Sequence, residues 1–369
     1  MSSTTRKTRV LVVDDSVVMR RVLSEVIAAD AELEVAGYAA NGQIALGLLE
    51  QVSPDVVTLD IEMPVMDGLA TLKAMRARRS NVPVIMFSTL TERGAEATID
   101  SLALGASDYV AKPTELGSYF AARERIREAL VPKIKALCHK SRSSVVPAAK
   151  PSLARHKLPG RIDVVAIGCS TGGPNALAQV LPALPREFAV PILIVQHMPP
   201  AFTRFLAQRL SSLCALPVEE AVGGDILTAG KIWVAPGGFH LSVKRDGATQ
   251  KLEVTQAPPE NSCRPSVDVL FRSVAQVFAN RVLAVVLTGM GQDGLRGCEL
   301  LADTGAHILV QDEATSVVWG MPGFVAKAGL ADAILALSDI GPRIVEHVAS
   351  YRALNLSSAA GCGAARVPA

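Results

Sequence analysis

The chain has 369 residues, 49% of them hydrophobic, and its 37 basic and 35 acidic residues give a formal net charge of +2. That length suits about two or three globular domains, and the near-neutral charge argues against capture of nucleic acid by the whole chain. No run approaches the roughly eighteen apolar residues of a membrane span, and the start "MSSTTRKTR" has no apolar signal core. We therefore expect a cytoplasmic protein with no direct membrane insertion.

The first part of the chain alternates short apolar bursts with amphipathic stretches, beginning with "RVLVVDD" and "SVVMRRVLSEVIAAD". Such alternation predicts a parallel sheet covered by helices. Asp14 and Asp15 follow the first strand, and Asp60 ends the strand "PDVVTLD", so the three carboxylates should meet at one edge of the sheet. Carboxylates so close together repel unless a hard cation lies among them. The pattern predicts an acidic magnesium pocket.

Two further polar residues follow later strands of this block. Lys112 in "YVAKP" could bind a phosphoryl oxygen, and Ser88 at the end of "PVIMFS" could donate a hydrogen bond to another. A carboxylate beside bound magnesium can attack a phosphoryl group. A single aspartate after a strand is as often a helix cap, but suitable residue types at successive strand ends favour phosphoryl transfer.

Residues from Val10 to about 125 resemble the receiver domains of response regulators, through "VDDS", "LDIEMPVMDG", "FSTL" and "AKP". The resemblance implies a flavodoxin-like, doubly wound sheet and phosphorylation of Asp60 by a chemotaxis-type histidine kinase. We place this domain at 8–126. The resemblance implies that Mg²⁺ is bound by Asp14, Asp15, Asp60 and the backbone carbonyl of Glu62, and that the receiver switch comprises Ser88, Tyr109 and Lys112.

A second α/β block follows a stretch without sustained periodicity, which predicts a linker over 127–160. The strand candidates are "RIDVVAIG", "PILIVQH", "GKIWVAP" and "RVLAVVLTG", and they alternate with helical patterns such as "SVDVLFRSVAQVFA". This block, at 161–350, has the size of an enzyme domain rather than of a small helix-turn-helix module. The small residues of "SSAAGCGAARVPA" predict a disordered tail over 351–369.

Three polar loops of the second block follow three apolar strands: "GCSTGGPN", "QHMPPAF" and "TGMGQDG". Because parallel strands end at one edge, Ser170, His197 and Asp293 can converge there. Serine becomes a nucleophile when a histidine takes its proton, and a carboxylate orients that histidine. The chain order Ser, His, Asp and the absence of G-x-S-x-G argue against the α/β-hydrolase superfold.

Each of these residues alone has a simpler interpretation. A glycine-rich loop after a strand also binds phosphates, a single histidine is more often structural, and Asp293 could cap a helix. Their joint placement favours a catalytic triad. Four other polar residues we interpret as structural or as substrate-facing at most, namely Asp225, His240, Arg264 and Asp268.

Residues from Ile162 to about 349 resemble the catalytic domain of the chemotaxis protein-glutamate methylesterases. The matching stretches are "IGCSTGGPNAL", "VQHMP", "APGGFHL", "RPSVDVLF", "TGMGQDG" and "WGMPG". The resemblance implies a Rossmann-like α/β domain with Ser170 as nucleophile, His197 as base and Asp293 as orienter. It also implies the backbone amide of Met290 as an oxyanion donor, with Thr171 nearby.

That resemblance implies a hydrolase activated by phosphorylation. It would remove methyl esters from glutamates of methyl-accepting chemotaxis receptors, releasing methanol, and would deamidate receptor glutamines through an acyl-serine intermediate. Magnesium would serve the receiver, and the esterase step would need no metal. We expect a monomer that binds no nucleic acid. The competing hypotheses are a catalytically inactive docking module and a nucleotide-binding or DNA-binding output domain.

The six cysteines are scattered without a C-x-x-C pair, which argues against a zinc ribbon and against a disulfide framework. Cys169 precedes Ser170 directly, and this position makes it a candidate for oxidation.

Overall fold

The computed structural model describes residues 6–113, 119–139 and 160–361, and the chain divides into two compact units. The first unit contains a five-stranded parallel sheet in the order β2-β1-β3-β4-β5. Its elements in chain order are β1 (Thr8–Val13), α1 (Val17–Ala28), β2 (Leu33–Ala39), α2 (Gly42–Val52), β3 (Val56–Asp60), α3 (Gly68–Ala77), β4 (Val84–Ser88), α4 (Glu92–Ala103), β5 (Asp108–Ala111) and α5 (Tyr119–His139).

Helices α1 to α4 begin at polar residues whose side-chain oxygen accepts a hydrogen bond from a backbone N–H of the first turn. These residues are Ser16, Asn41, Asp67 and Thr91. The caps satisfy donors that the start of a helix otherwise leaves open. The central strands β1, β3 and β4 are buried on both faces, as their continuous apolar sequences predict.

The linker was predicted over 127–160, and its predicted start is too early because α5 continues to His139. Leu130, Ile134 and Leu137 are buried and recur at the spacing of one helix face. Pro132 lies inside the helix and obscures this periodicity in the sequence, since proline usually breaks helices. The remainder of the predicted linker, 140–159, lies outside the described residues.

The second unit contains a seven-stranded parallel sheet in the order β14-β13-β12-β6-β7-β9-β8. It begins with β6 (Val164–Cys169), α6 (Gly173–Val180), β7 (Ile192–Gln196), α7 (Phe202–Leu213), β8 (Val218–Glu220) and β9 (Ile232–Val234). It continues with β10 (His240–Asp246), β11 (Thr249–Thr255), α8 (Val267–Phe278), β12 (Val282–Val286), α9 (Leu295–Thr304), β13 (His307–Gln311), α10 (Met321–Lys327), β14 (Ala333–Leu335) and α11 (Leu337–Gly361).

An antiparallel hairpin, β10 with β11, interrupts the parallel pattern of the second unit. Helix α8 packs against it, and Ser273 Oγ accepts a hydrogen bond from the backbone N–H of Val243. Both fold-class expectations are confirmed: a receiver-like sheet in the first unit and a Rossmann-like α/β sheet in the second.

The disordered tail predicted over 351–369 is wrong for its first part, because α11 extends to Gly361. Its sequence "YRALNLSSAA" contains no proline or glycine that would end the helix earlier. Residues 362–369 lie outside the described residues. None of the helices in the described ranges has both the length and the apolar character that a membrane span requires.

The extension of α5 leads to a test of stability. Leu130→Ala should lower the free energy of unfolding of the first unit by about 2–5 kcal/mol, because Leu130 is fully buried. Urea unfolding of the full chain, followed by circular dichroism, measures the change. Glu128→Ala on the exposed face of α5 is the control, and equal effects of the two substitutions would contradict the packing of this segment.

Candidate functional site

The acidic pocket of the first unit forms at the carboxyl ends of its strands. Asp14 follows β1 directly, Asp60 is the last residue of β3, and Lys112 follows β5. Lys112 Nζ lies 2.7 Å from Asp60 Oδ2 and 3.2 Å from Asp14 Oδ2. The strand ends therefore bring the predicted carboxylates and the predicted lysine together.

Burial raises the pKa of Asp60 to about 6, although the ammonium group of Lys112 and a hydrogen bond with the backbone of Glu62 favour the charged form. Burial lowers the pKa of Lys112, but the hydrogen bond and charge of Asp60, with the charge of Asp14, outweigh it and raise the pKa. At neutral pH the pocket holds an ionised Asp60 next to a charged lysine.

The donor set of this pocket fits a hard divalent cation. Carboxylate oxygens of Asp14, Asp15 and Asp60 lie within 4.8 Å of one another. Asp14 Oδ2 is buried and, within the described residues, forms an ion pair with Lys112 but accepts no hydrogen bond. An unsatisfied buried carboxylate oxygen beside two further carboxylates is the arrangement that Mg²⁺ would complete. Glu62, whose backbone carbonyl is the other predicted ligand, lines the same pocket.

Of the predicted switch residues, Ser88 and Lys112 line this pocket. The Ser88 hydroxyl donates to the carbonyl of Gly94 in α4 at 2.9 Å. Tyr109 in β5 is buried, and this burial raises the pKa of its phenol. The ring of Tyr109 lies under Lys133 Nζ, at 5.2 Å from the ring centroid.

In the second unit, Ser170 and His197 follow the neighbouring strands β6 and β7, whose last residues Cys169 and Gln196 are paired in register. Asp293 lies in the loop between β12 and α9, and β12 flanks β6 on its other side. The three predicted residues therefore come from three adjacent strands at one edge of the sheet.

The contact between His197 and Asp293 is direct. His197 Nε2 lies 2.8 Å from Asp293 Oδ2. The other ring nitrogen, Nδ1, lies 3.7 Å from the sulfur of Cys263. In the part of the chain that the structure describes, no hydrogen bond joins the Ser170 hydroxyl to His197. The structure thus forms the base–carboxylate half of the predicted triad and places Ser170 at the end of the adjacent strand.

Asp293 also caps the N-terminus of helix α8. Its carboxylate accepts hydrogen bonds from the backbone N–H groups of Val267 and Asp268, at 2.6 and 3.1 Å. The Ser266 hydroxyl donates to it at 2.8 Å, and the side-chain amide of Asn261 donates at 2.9 Å. The first N–H groups of a helix have no acceptor within the helix, and together with the helix dipole they favour a negative charge at this end of α8.

The pKa values of the two residues move apart. Burial opposes ionisation of Asp293, but the hydrogen bond and charge of His197, together with the α8 donors, lower its pKa well below the ordinary value. Burial also lowers the pKa of His197, yet Asp293 and Cys263 outweigh it and raise this pKa to about 9. The geometry holds an ionised carboxylate that stabilises an imidazolium.

Hydrogen bonds fix the backbone around Ser170. Its N–H donates to the carbonyl of Thr288 at 3.0 Å, and its carbonyl accepts from Gln196 Nε2 at 3.0 Å and from the Gly173 N–H at 2.8 Å. A Cβ at Gly289 would lie 2.8 Å from Ser170 Cβ, so only glycine permits this approach.

The predicted oxyanion donor has its N–H available. Met290 follows Gly289 in the loop beside Ser170, and among the described residues no group accepts a hydrogen bond from the Met290 amide. Thr171, the other predicted neighbour, is buried, and its carbonyl accepts the Thr288 hydroxyl at 2.9 Å.

Sequence reasoning missed the donors that hold Asp293. Ser266 and Asn261 belong to the segment "ENSCRPSVD", which leads into the amphipathic helix α8. Serine directly before such a helix is a typical N-cap, and this was the signal in the sequence that could have indicated Ser266. The structural interpretation of His240 agrees with its contacts, since His240 Nδ1 accepts the N–H of Ser266 at 3.2 Å. The other two carboxylates also make structural contacts. Asp225 accepts a hydrogen bond from Trp233 Nε1, and Asp268 accepts one from the backbone N–H of Gly297.

A titration tests this electrostatic arrangement. Asp293→Asn should lower the pKa of His197 from about 9 to below its ordinary value, because burial then dominates. Nuclear magnetic resonance of ¹³C-labelled histidine measures the change. Glu253 is a half-buried carboxylate in β11, and Glu253→Gln is the control that should leave the pKa of His197 unchanged. An unshifted pKa in Asp293→Asn would refute the arrangement.

Comparison with known proteins shows the family to which the two units belong. The family model described as CheB methylesterase matches residues 165–344, and the model described as response regulator receiver domain matches residues 10–122. Protein-glutamate methylesterase/protein-glutamine glutaminase of Trichodesmium erythraeum is 50% identical over 93% of this chain and 99% of its own length. The protein of that name from a Nocardioides species is 50% identical over 93% of this chain and 96% of its own.

A solved structure is similar to the second unit. The CheB methylesterase catalytic domain of Thermotoga maritima is 38% identical and superimposes with a TM-score of 0.50. It covers 51% of this chain and 99% of that domain.

Proposed function

Since this chain belongs to the CheB methylesterase family, we propose that Ser170, His197 and Asp293 carry out its protein-glutamate methylesterase and protein-glutamine glutaminase reactions. The observation that carries the proposal is the 2.8 Å contact of His197 Nε2 with Asp293 Oδ2, next to the strand end that bears Ser170. A buried carboxylate that orients a histidine beside a serine is the arrangement of a serine esterase.

Acylation begins when the Ser170 hydroxyl attacks the ester carbonyl and its proton passes to His197. Because Nε2 is engaged by Asp293, Nδ1 is the nitrogen that takes the proton. The Ser170–His197 hydrogen bond forms when substrate binds, since such contacts are often long in substrate-free enzymes. The Met290 N–H donates to the developing oxyanion.

The remaining steps return the enzyme to its starting state. His197 gives its proton to the leaving methoxide, so that methanol departs and the glutamyl group stays on Ser170 as an ester. Water then attacks that ester while His197 takes its proton, the bond to the Ser170 oxygen breaks, and His197 returns the proton to that oxygen, which leaves a glutamate carboxylate as product. With a glutamine substrate the leaving group is ammonia.

The first unit controls this activity through phosphorylation, and we propose Asp60 as the acceptor. Asp14, Asp15 and the Glu62 carbonyl would hold Mg²⁺, which supplies charge neutralisation for the transferred phosphoryl group. Lys112 binds a phosphoryl oxygen, and Ser88 with Tyr109 responds to it. The phosphodonor is a chemotaxis histidine kinase, and the substrates are methyl-accepting chemotaxis receptors.

Methanol release from methylated receptor membranes tests both halves of the proposal. Ser170→Ala should reduce the rate at least about 1,000-fold, because the nucleophile is lost. Asp60→Asn should keep the basal rate and lose the acceleration by Mg²⁺ with a small-molecule phosphodonor. Ser212→Ala, exposed on α7, is the matched serine control. Unchanged methanol release in Ser170→Ala would overturn the assignment of the nucleophile.

The pH dependence of kcat/KM follows from the raised pKa of His197. A protonated imidazole cannot take the Ser170 proton, so kcat/KM should rise about tenfold per pH unit and level off near pH 9. Methanol release from pH 6 to 10, with Ser170→Ala subtracted as the blank, measures the profile. A profile that is already flat above pH 7 would contradict a base with this pKa.

A further inference from the structure

Cys263 lies against the catalytic histidine on the side away from Asp293. Its sulfur is 3.7 Å from His197 Nδ1, while Asp293 holds Nε2 at 2.8 Å. Cysteine, imidazole and carboxylate thus form a continuous chain of contacts. A thiol next to a histidine that a carboxylate orients is the arrangement found around reactive cysteines.

We propose that Cys263 is an oxidation site at which a hydroperoxide switches off the esterase. Cys263 is partly exposed and lines an open cleft together with His197, Met198, Pro199, Gly238 and Arg264. A small oxidant can reach its sulfur through this cleft.

The loop around Cys263 holds the sulfur in place. The backbone N–H and carbonyl of Cys263 pair with the carbonyl and N–H of Glu260, at 2.9 and 3.1 Å, in a tight turn. The carboxylate of Glu260 accepts two hydrogen bonds from Arg272 of α8, at 2.7 and 3.1 Å. The thiol therefore stays next to His197 rather than moving with a free loop.

Positively charged groups lie close to the Cys263 sulfur. With its pKa raised to about 9, His197 is positively charged at neutral pH, and its Nδ1 lies 3.7 Å from the sulfur. Arg264 adds a positive charge to the cleft, and its buried Nε has no hydrogen-bond partner among the described residues.

Three other described cysteines lack this environment. Cys169, which its position next to Ser170 had singled out, is fully buried, donates towards Gln196 Oε1 and has a pKa that burial raises strongly. Cys298 is likewise buried with a raised pKa. Cys214 is half-buried, and burial raises its pKa to about 11. Cys214 is therefore the internal control for Cys263.

The reaction consumes one hydroperoxide. The Cys263 sulfur attacks the terminal peroxide oxygen, the O–O bond breaks, and the departing hydroxide or alkoxide takes the proton that the thiol gives up and leaves as water or an alcohol. The sulfur is oxidised to a sulfenic acid, and the peroxide is reduced. A thiol reductant reverses the change: one thiol displaces water to form a mixed disulfide, and a second releases the Cys263 thiol.

The consequence for catalysis rests on the proposed function of His197. An oxygen atom on the Cys263 sulfur occupies the space beside Nδ1, the nitrogen that takes the Ser170 proton. The oxidised site also gives Nδ1 a new hydrogen-bond partner. The base is then blocked while the fold and the Asp293 contact remain.

Reactivity is tested independently of esterase activity. Full-length protein with Cys362→Ser is treated with iodoacetamide at pH 7, and peptide mass spectrometry gives the rate at each cysteine. Cys263 should react at least about tenfold faster than Cys214, and His197→Gln should remove most of this advantage. Equal rates at the two cysteines, or an advantage that His197→Gln leaves intact, would overturn the proposal.

Inactivation is measured as methanol release after treatment with hydrogen peroxide, relative to the untreated activity of the same variant. The parent should lose most of its activity and regain it with dithiothreitol, whereas Cys263→Ser should keep most of its own. Equal loss in Cys263→Ser would refute the switch. If the untreated parent shows no Ser170-dependent release, the proposed function fails, and the labelling experiment still decides the reactivity of Cys263.

Discussion

The strand-end site of the second unit depends on one buried carboxylate that makes two kinds of contact. Asp293 accepts the backbone amides at the start of α8 and, with its other contacts, orients His197. A helix end leaves amides that need an acceptor, and a buried carboxylate needs donors, so each satisfies the other. The charge that orients the histidine is thereby held in place by the fold itself. The orientation of His197 and the anchoring of α8 therefore depend on the same carboxylate.

The two units use the same sheet architecture for different electrostatic purposes. In the first, the strand ends bring Asp14 and Asp60 together around Lys112, and burial keeps the pKa of Asp60 high. In the second, the carboxylate meets amide donors and an imidazole, and its pKa falls. The difference lies in the donors that surround each carboxylate. The first pocket suits a cation and a phosphoryl group, and the second suits proton transfer to and from a hydroxyl.

Much of this arrangement could be predicted from the sequence, because parallel strands end at one edge and short polar loops follow them. From that rule alone one can predict that Asp60 lies near Lys112 and that His197 lies near Asp293. It could not reveal Ser266 or the environment of Cys263, since their segment follows the β10–β11 hairpin and not a strand of the parallel sheet. It also could not distinguish which nitrogen of His197 contacts Asp293, because the ring orientation depends on packing rather than on spacing.

The long final helix of the first unit, α5, determines where this receiver can be joined to a different output domain. Beyond residue 126, Leu130 and Ile134 still pack into the receiver core, and Lys133 pairs with Asp108 at 2.8 Å. A recombination event that joined a new output domain at 126 would expose that apolar face to water. Fusions that keep the chain through His139 would preserve it. Among chimaeras made from this receiver, the helix therefore favours junctions beyond residue 139.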